Sequence, residues 1–155
     1  MHIIVDSHQD LAWNMLSFGR DYSRSVRETR ALEVGSLAVE KNGDTLLGYP
    51  EYRSGNVAVI FATLFAAPAR QRDGDWEHIF YPDGDYKTAR RIYLQELDVY
   101  RRLVDDHPEK FRLLASRVEL DRHLEEWRSA SENHPAGLFL LMEGGEAIRA
   151  PAELP

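Results

Sequence analysis

The sequence predicts an α/β fold in which parallel strands are joined by helical crossovers. Two observations carry that reading. Val57 to Ala66 is apolar on both faces, the pattern of a parallel strand covered by helices on either side. Ala89, Ile92, Tyr93, Leu97, Tyr100, Leu103 and Val104 recur at helical intervals, which predicts an amphipathic helix over residues 86–106.

In chain order, residues 2–8 form the first predicted strand, built on Ile3, Ile4 and Val5. A long mixed segment follows, with a helix expected near residues 23–33 and turn signals at Asn42-Gly43-Asp44, Tyr49-Pro50 and Ser54-Gly55-Asn56. The second strand, residues 57–66, is ended by Pro68. The polar stretch Arg70 to Asp85 separates it from the helix over 86–106, which His107-Pro108 stops because a residue before proline is pushed out of the helical region. Phe111 to Ala115 is a short third strand. Ser116 with Glu119 predicts a capping box for a helix whose inner face carries Leu120, Leu124 and Trp127 and which ends near Ser131. Asn133-His134-Pro135-Ala136-Gly137 then reads as a loop leading into a fourth strand, Leu138 to Met142. Four strands separated by crossovers make a parallel sheet. The order fits the first half of a (β/α)₈ barrel and a small open sheet equally well, and no internal repeat or low-complexity segment is present.

Composition narrows the function. With 155 residues, 43% hydrophobic and 29% charged, the chain falls in the ordinary globular range, and one compact unit is expected over residues 1–155. The net charge of -7 comes from 26 acidic against 19 basic residues, with the bases scattered among acids. A nucleic-acid partner is not expected from that pattern. No apolar stretch reaches the roughly 18 to 20 residues a spanning helix needs, and no basic segment precedes a signal-type apolar core, so the expected location is the cytoplasm, with no membrane partner. Cysteine is absent, which leaves nitrogen and oxygen as the available metal ligands.

In parallel architectures, ligand sites lie at the carboxyl ends of the strands. His8 and Asp10 close the first strand, and residues two apart share a face, so the imidazole and the carboxylate can grip one ion. Glu143 closes the last strand, directly after Leu138 to Met142, where an unpaired buried acid is costly. A neutral imidazole with two carboxylates suits zinc, manganese or a similar divalent ion, and a carboxylate can bridge two ions. The plainer alternative for the pair is a histidine and an aspartate bonded to nearby loop backbone. For Glu143 it is a turn opening at Gly144-Gly145. Asp6, on the same face in a regular strand, is a candidate to orient a ligand from behind, or else to cap a loop. The other histidines, His78, His107, His123 and His134, are expected at the surface rather than as ligands. Trp13, Trp76, Tyr81 and Tyr86 are candidate cleft-lining residues, although loop aromatics more commonly pack beneath their own loops.

These residues resemble the zinc dipeptidases typified by membrane (renal) dipeptidase. Ile4-Val5-Asp6-Ser7-His8-Gln9-Asp10-Leu11 resembles that family's Asp-x-His-x-Asp first-strand motif, and Met142-Glu143-Gly144-Gly145-Glu146-Ala147-Ile148 resembles its Glu-Gly-Gly signature. Phe61-Ala62-Thr63-Leu64-Phe65 stands between them where the family has its second strand. The tract Asn14 to Tyr22, with Phe18-Gly19-Arg20-Asp21-Tyr22, resembles a bacterial branch.

The resemblance implies a (β/α)₈ TIM-type barrel holding two zinc ions that activate a bridging hydroxide to hydrolyse a dipeptide. Carried over by position, His8 and Asp10 ligate the first zinc and Glu143 bridges both. The likeness runs over essentially the whole chain but only about the first half of a family member. The family's two histidine ligands for the second zinc, its substrate-binding histidine and arginine, and its proton-handling aspartate come later and have no counterpart here. A full barrel needs about 250 residues, so the expectation is an N-terminal half of about four strands, with at most one well-formed zinc site and weak activity alone. Two alternatives stay open. One is another metal-dependent amidohydrolase, whose familiar His-x-His opening is absent here. The other is a non-catalytic half-barrel whose open edges, expected on the first and fourth strands, pair with another chain or a second copy.

Overall fold

The computed structural model describes residues 2–71, 77–129 and 134–153. Strand β1 (Ile4–Gln9) leads into α1 (Leu11–Phe18), followed by α2 (Val26–Leu32), α3 (Leu37–Asn42) and α4 (Tyr49–Ser54). Then come β2 (Val57–Phe65), the short strands β3 (Ala67–Pro68) and β4 (Phe80–Tyr81), α5 (Tyr86–Asp106), β5 (Phe111–Leu114), α6 (Arg117–Arg128) and β6 (Ala136–Glu143). No helix among the described residues is long and apolar enough to cross a membrane.

The main sheet has four strands in the order β1-β2-β6-β5, all parallel. Parallel strands with helical crossovers therefore stand as predicted. One edge among the described residues is the first strand, β1, as expected; the other is β5, the third predicted strand, not the fourth. The reason is length and register. Strand β5 has four residues and pairs only with Ala136 to Phe139, the amino-terminal half of β6. Strand β6 instead lies along β2 from Val59↔Gly137 to Phe65↔Glu143, so β5 never approaches the carboxyl ends.

Most boundaries follow local chemistry. Helix α5 spans the predicted residues, with the Asp85 carboxylate accepting the Thr88 N–H at 3.1 Å and His107 as the C-cap. Ser116 caps α6 by accepting the Glu119 N–H, while the Glu119 carboxylate takes the Ala115 N–H at 2.8 Å. Helix α2 begins at a complete capping box between Ser25 and Glu28. Helix α6 ends at Arg128 with Ser129 as its C-cap, by about Ser131 as expected; Asn133 of the following loop lies outside the described residues. Ala136 and Gly137, read as loop, belong to β6, and Pro68 sits in the small β3–β4 ladder opposite Tyr81. Helices α1, α3 and α4 were not anticipated. They run eight, six and six residues, too short for periodicity to show; Tyr49-Pro50 opens α4 instead of marking a turn, while Ser54-Gly55-Asn56 ends that helix in the expected turn.

The largest apolar cluster joins Leu11, Ala12, Tyr52, Ile60, Ala62, Val99, Tyr100, Leu103, Phe111 and Leu138, so β2 and β6 are covered by α1, α4 and α5. A second cluster sets Ala58, Val59 and Leu114 against Trp127 of α6. His123 lies in this layer with no exposed surface, against the prediction that it is a surface residue. It falls between Leu120 and Trp127 at helical spacing, so the inner face of α6 runs straight through it. Its Nε2–H donates to the Ala58 carbonyl at 2.8 Å. Gly137 is required beneath it, because a Cβ there would stand 2.5 Å from Leu114 Cδ1 and 2.8 Å from His123 Nε2.

Two outcomes follow from this layer. Gly137→Ala should destabilise the fold by about 1–3 kcal/mol through overpacking, read as a lower denaturation midpoint at unchanged slope. Burial holds the His123 pKa below its ordinary value, so the unfolded chain takes up that proton first as pH falls through about 6.5. The contribution is fully present above that pH and is lost below it. Denaturation midpoints of wild type and His123→Gln should therefore converge as pH drops from about 7 towards 5; parallel curves would contradict the assignment.

Candidate metal centre

Three strand ends converge. Strand β1 carries one extra residue against β2, since Asp6 pairs with Ile60 but Gln9 pairs with Ala62. Such a bulge re-aims the side chains around it. The Asp6 carboxylate holds it, accepting the His8 backbone N–H at 3.1 Å and the Gln9 side-chain amide at 2.6 Å. Asp6 thus bonds to the His8 backbone and not to the imidazole, and the bulge interrupts the regular alternation that would align residues 6, 8 and 10. Gln9 is fastened from the other side by the Tyr52 hydroxyl, which donates to its amide oxygen at 2.6 Å.

The result brings His8, Asp10 and Glu143 together. His8 Nε2 lies 3.4 Å from Asp10 Oδ1 and 3.5 Å from Glu143 Oε2. Ligand atoms from all three residues fall within 4.8 Å of one another. Two ligands each about 2.1 Å from a tetrahedral centre are themselves roughly 3.4 Å apart, so the donor set and its spacing fit a divalent ion. The side chains are 39% to 49% exposed, open enough for a small molecule to reach them.

Helix α5 holds the ends of β2 and β6 in place with one polar face. The Tyr93 hydroxyl donates to the Glu143 carbonyl at 2.7 Å, the Glu96 carboxylate accepts the Phe65 N–H at 2.5 Å, and the Tyr100 hydroxyl donates to the Thr63 carbonyl at 2.8 Å. Tyr100 also accepts the Ala12 N–H at 3.1 Å, which ties in the start of α1. Glu96 is fully buried, and burial pushes its pKa up. Beyond Glu143 the chain turns at Gly144, whose φ of +86° and close approach to the Glu146 carboxylate exclude a side chain.

Sequence reasoning missed the interior contacts of two further histidines, one partly buried and the other buried. His78, expected at the surface, has a side chain only 19% exposed; its Nε2 lies 3.3 Å from Glu96 Oε1, and its Nδ1 is 3.1 Å from Ser17 Oγ. His134, also expected outside, is 5% exposed and stacks on Trp127 at 5.4 Å. His107 is half-buried near Glu109 and remote from the cluster. Among the candidate cleft aromatics, Tyr81 is buried in a small core with Ala89, Ile92 and Tyr93, and Tyr86 lies under the Arg149 guanidinium at 3.9 Å. Trp13 packs edge-on against Phe18 at 5.5 Å, and Trp76 lies outside the described residues. Arg20 and Asn14, in the tract after the first motif, serve structure: Arg20 makes a buried bidentate pair with Glu33 at 2.9 and 3.1 Å and donates to Asn14 at 3.0 Å. The signals that could have exposed these roles were the helical spacing of His123 and Glu96, the one charged residue on the inner face of the stripe that carries Tyr93 and Tyr100.

A parallel sheet with a histidine and two carboxylates gathered at its carboxyl ends defines the general class, an α/β protein with a candidate metal centre. Residues 1–154 match the family described as Membrane dipeptidase (Peptidase family M19), and the chain belongs to that family of metallopeptidases. No curated protein matches the chain. Among solved structures, the fold is similar to the crystal structure of the dipeptidase AC, a metallopeptidase of the same family, with a TM-score of 0.59 at 16% identity. That match covers 94% of this chain and 38% of the solved one, so the chain spans well under half the length of that relative.

Proposed function

We propose that this chain supplies the first-metal portion of a zinc-dependent dipeptidase active site. His8 and Asp10 would hold one zinc ion, and Glu143, beside them, would share it with a second. The carrying observation is the position of His8 Nε2, within 3.5 Å of both carboxylates at the carboxyl ends of β1 and β6, in a chain of a dipeptidase family. Bound there, divalent zinc supplies Lewis acidity and lowers the pKa of water. The residues of this chain do the rest: two carboxylates balance the cation's charge, and His8 presents Nε2 from a strand end fixed by Asp6. The half-exposed setting suits a short peptide as substrate.

Zinc titration against a chromophoric chelator tests the reading. The 155-residue chain should take up one zinc ion tightly, and His8→Ala or Glu143→Gln should weaken it by at least about tenfold. Dipeptide hydrolysis by this chain alone should be slight, and substantial zinc-dependent turnover would overturn the partial-site assignment.

A second reading, association through the sheet edge, rests on β1. It pairs only with β2 among the described residues, and Ile4 and Val5 are 50% and 52% exposed. Exposed apolar edge strands recruit further strands. Light scattering should show mass rising with concentration; a clean monomer at high concentration counts against it.

A further inference from the structure

Thr63 is the one polar residue in the run Val57–Phe65, and it is 1% exposed. A hydroxyl buried so deeply costs about 1–3 kcal/mol if left without a partner. Its hydroxyl donates to Asp10 Oδ1, the same oxygen that faces His8, and lies 3.1 Å from the Gln9 carbonyl.

Asp10 supplies the second half of the argument. It occupies the N-cap position of α1, where aspartate ordinarily accepts a backbone N–H from the first turn. Here its side chain makes no such bond. The helix gives up a stabilisation of about 1 kcal/mol, and the carboxylate turns towards Thr63 and His8 instead. Its own backbone is pinned, because its carbonyl accepts from the Asn14 N–H at 3.2 Å and the Asn14 side-chain amide at 2.9 Å. Thr63 is pinned as well. The Tyr100 hydroxyl donates to the Thr63 carbonyl and accepts the Ala12 N–H, so one side chain of α5 sets the separation between the two backbones that carry Thr63 and Asp10.

We propose that Thr63 is the positioning residue of the metal centre: its buried hydroxyl pulls the Asp10 carboxylate off the helix terminus and aims it beside His8. One hydroxyl proton satisfies one lone pair of Oδ1 and leaves the other directed into the site. Partners of this kind, standing behind metal ligands, typically govern 10- to 100-fold in metal affinity.

The inference rests on the metal-centre reading, and the experiment separates the two. Zinc affinity of the 155-residue chain is measured by chelator competition for wild type, Thr63→Val, Thr63→Ser, Thr63→Ala, His8→Ala and Glu143→Gln, with circular dichroism reporting the fold. Thr63→Val, which keeps the volume and loses the hydroxyl, should weaken zinc about 10- to 100-fold, and Thr63→Ser should restore it to within about threefold of wild type. Should the valine variant fail to fold, Thr63→Ser against Thr63→Ala carries the same comparison, and the serine variant should bind at least about tenfold more tightly. Equal affinities with and without the hydroxyl, while His8→Ala and Glu143→Gln still weaken binding at least about tenfold, overturn the role of Thr63 alone. A wild type that binds no zinc, or binds it regardless of His8, overturns the metal centre and this inference together.

Discussion

The alignment of the ends of β2 and β6 depends on a single helix face. Tyr93, Glu96 and Tyr100 sit three and four residues apart on α5, and each bonds to the backbone of a different strand position: Glu143, Phe65 and Thr63. Apolar burial alone would hold α5 against the sheet without fixing how far each strand protrudes. Directional bonds do fix it, because a hydroxyl or carboxylate in a dry layer has strong reason to keep its partner. Glu96 shows the cost: the carboxylate is fully buried with a raised pKa, stabilised by the Phe65 N–H and by His78 nearby.

Around the centre, several local preferences give way together. Strand β1 accepts a bulge between Asp6 and Gln9, Asp10 leaves its helix uncapped, and the chain leaves β6 through a positive φ at Gly144. Each departure costs something by itself. All three place a side chain or free a strand end at the same site, and departures of that sort gather where function competes with local stability. The layer beneath α6 shows the opposite regime, since His123, Trp127 and Gly137 fit one another closely and serve packing alone.

Much of this was legible from residues alone. The helix Tyr86–Asp106, the doubly covered strand at Val57 and the capped helix after Ser116 all followed from periodicity and end signals strong enough to act locally. The short helices α1, α3 and α4 were hidden because six to eight residues carry too few repeats of a helical period. His78, His123 and His134 were misplaced at the surface because polar identity says little about a side chain whose partner is far off in the chain. The nearest strand bond of His123, to Ala58, spans 65 residues.

By itself the sequence determined the parallel α/β class and the residues that make up the candidate metal centre, because hydrophobic period and ligand chemistry are local properties. Only the tertiary structure decided the strand order β1-β2-β6-β5, which leaves β5 short of the site, and the placement of His8 within 3.5 Å of both carboxylates. It alone also joined Thr63 to Asp10 across 53 positions of chain. Strand order and a hydrogen bond between distant residues arise from long-range packing, which no local pattern encodes.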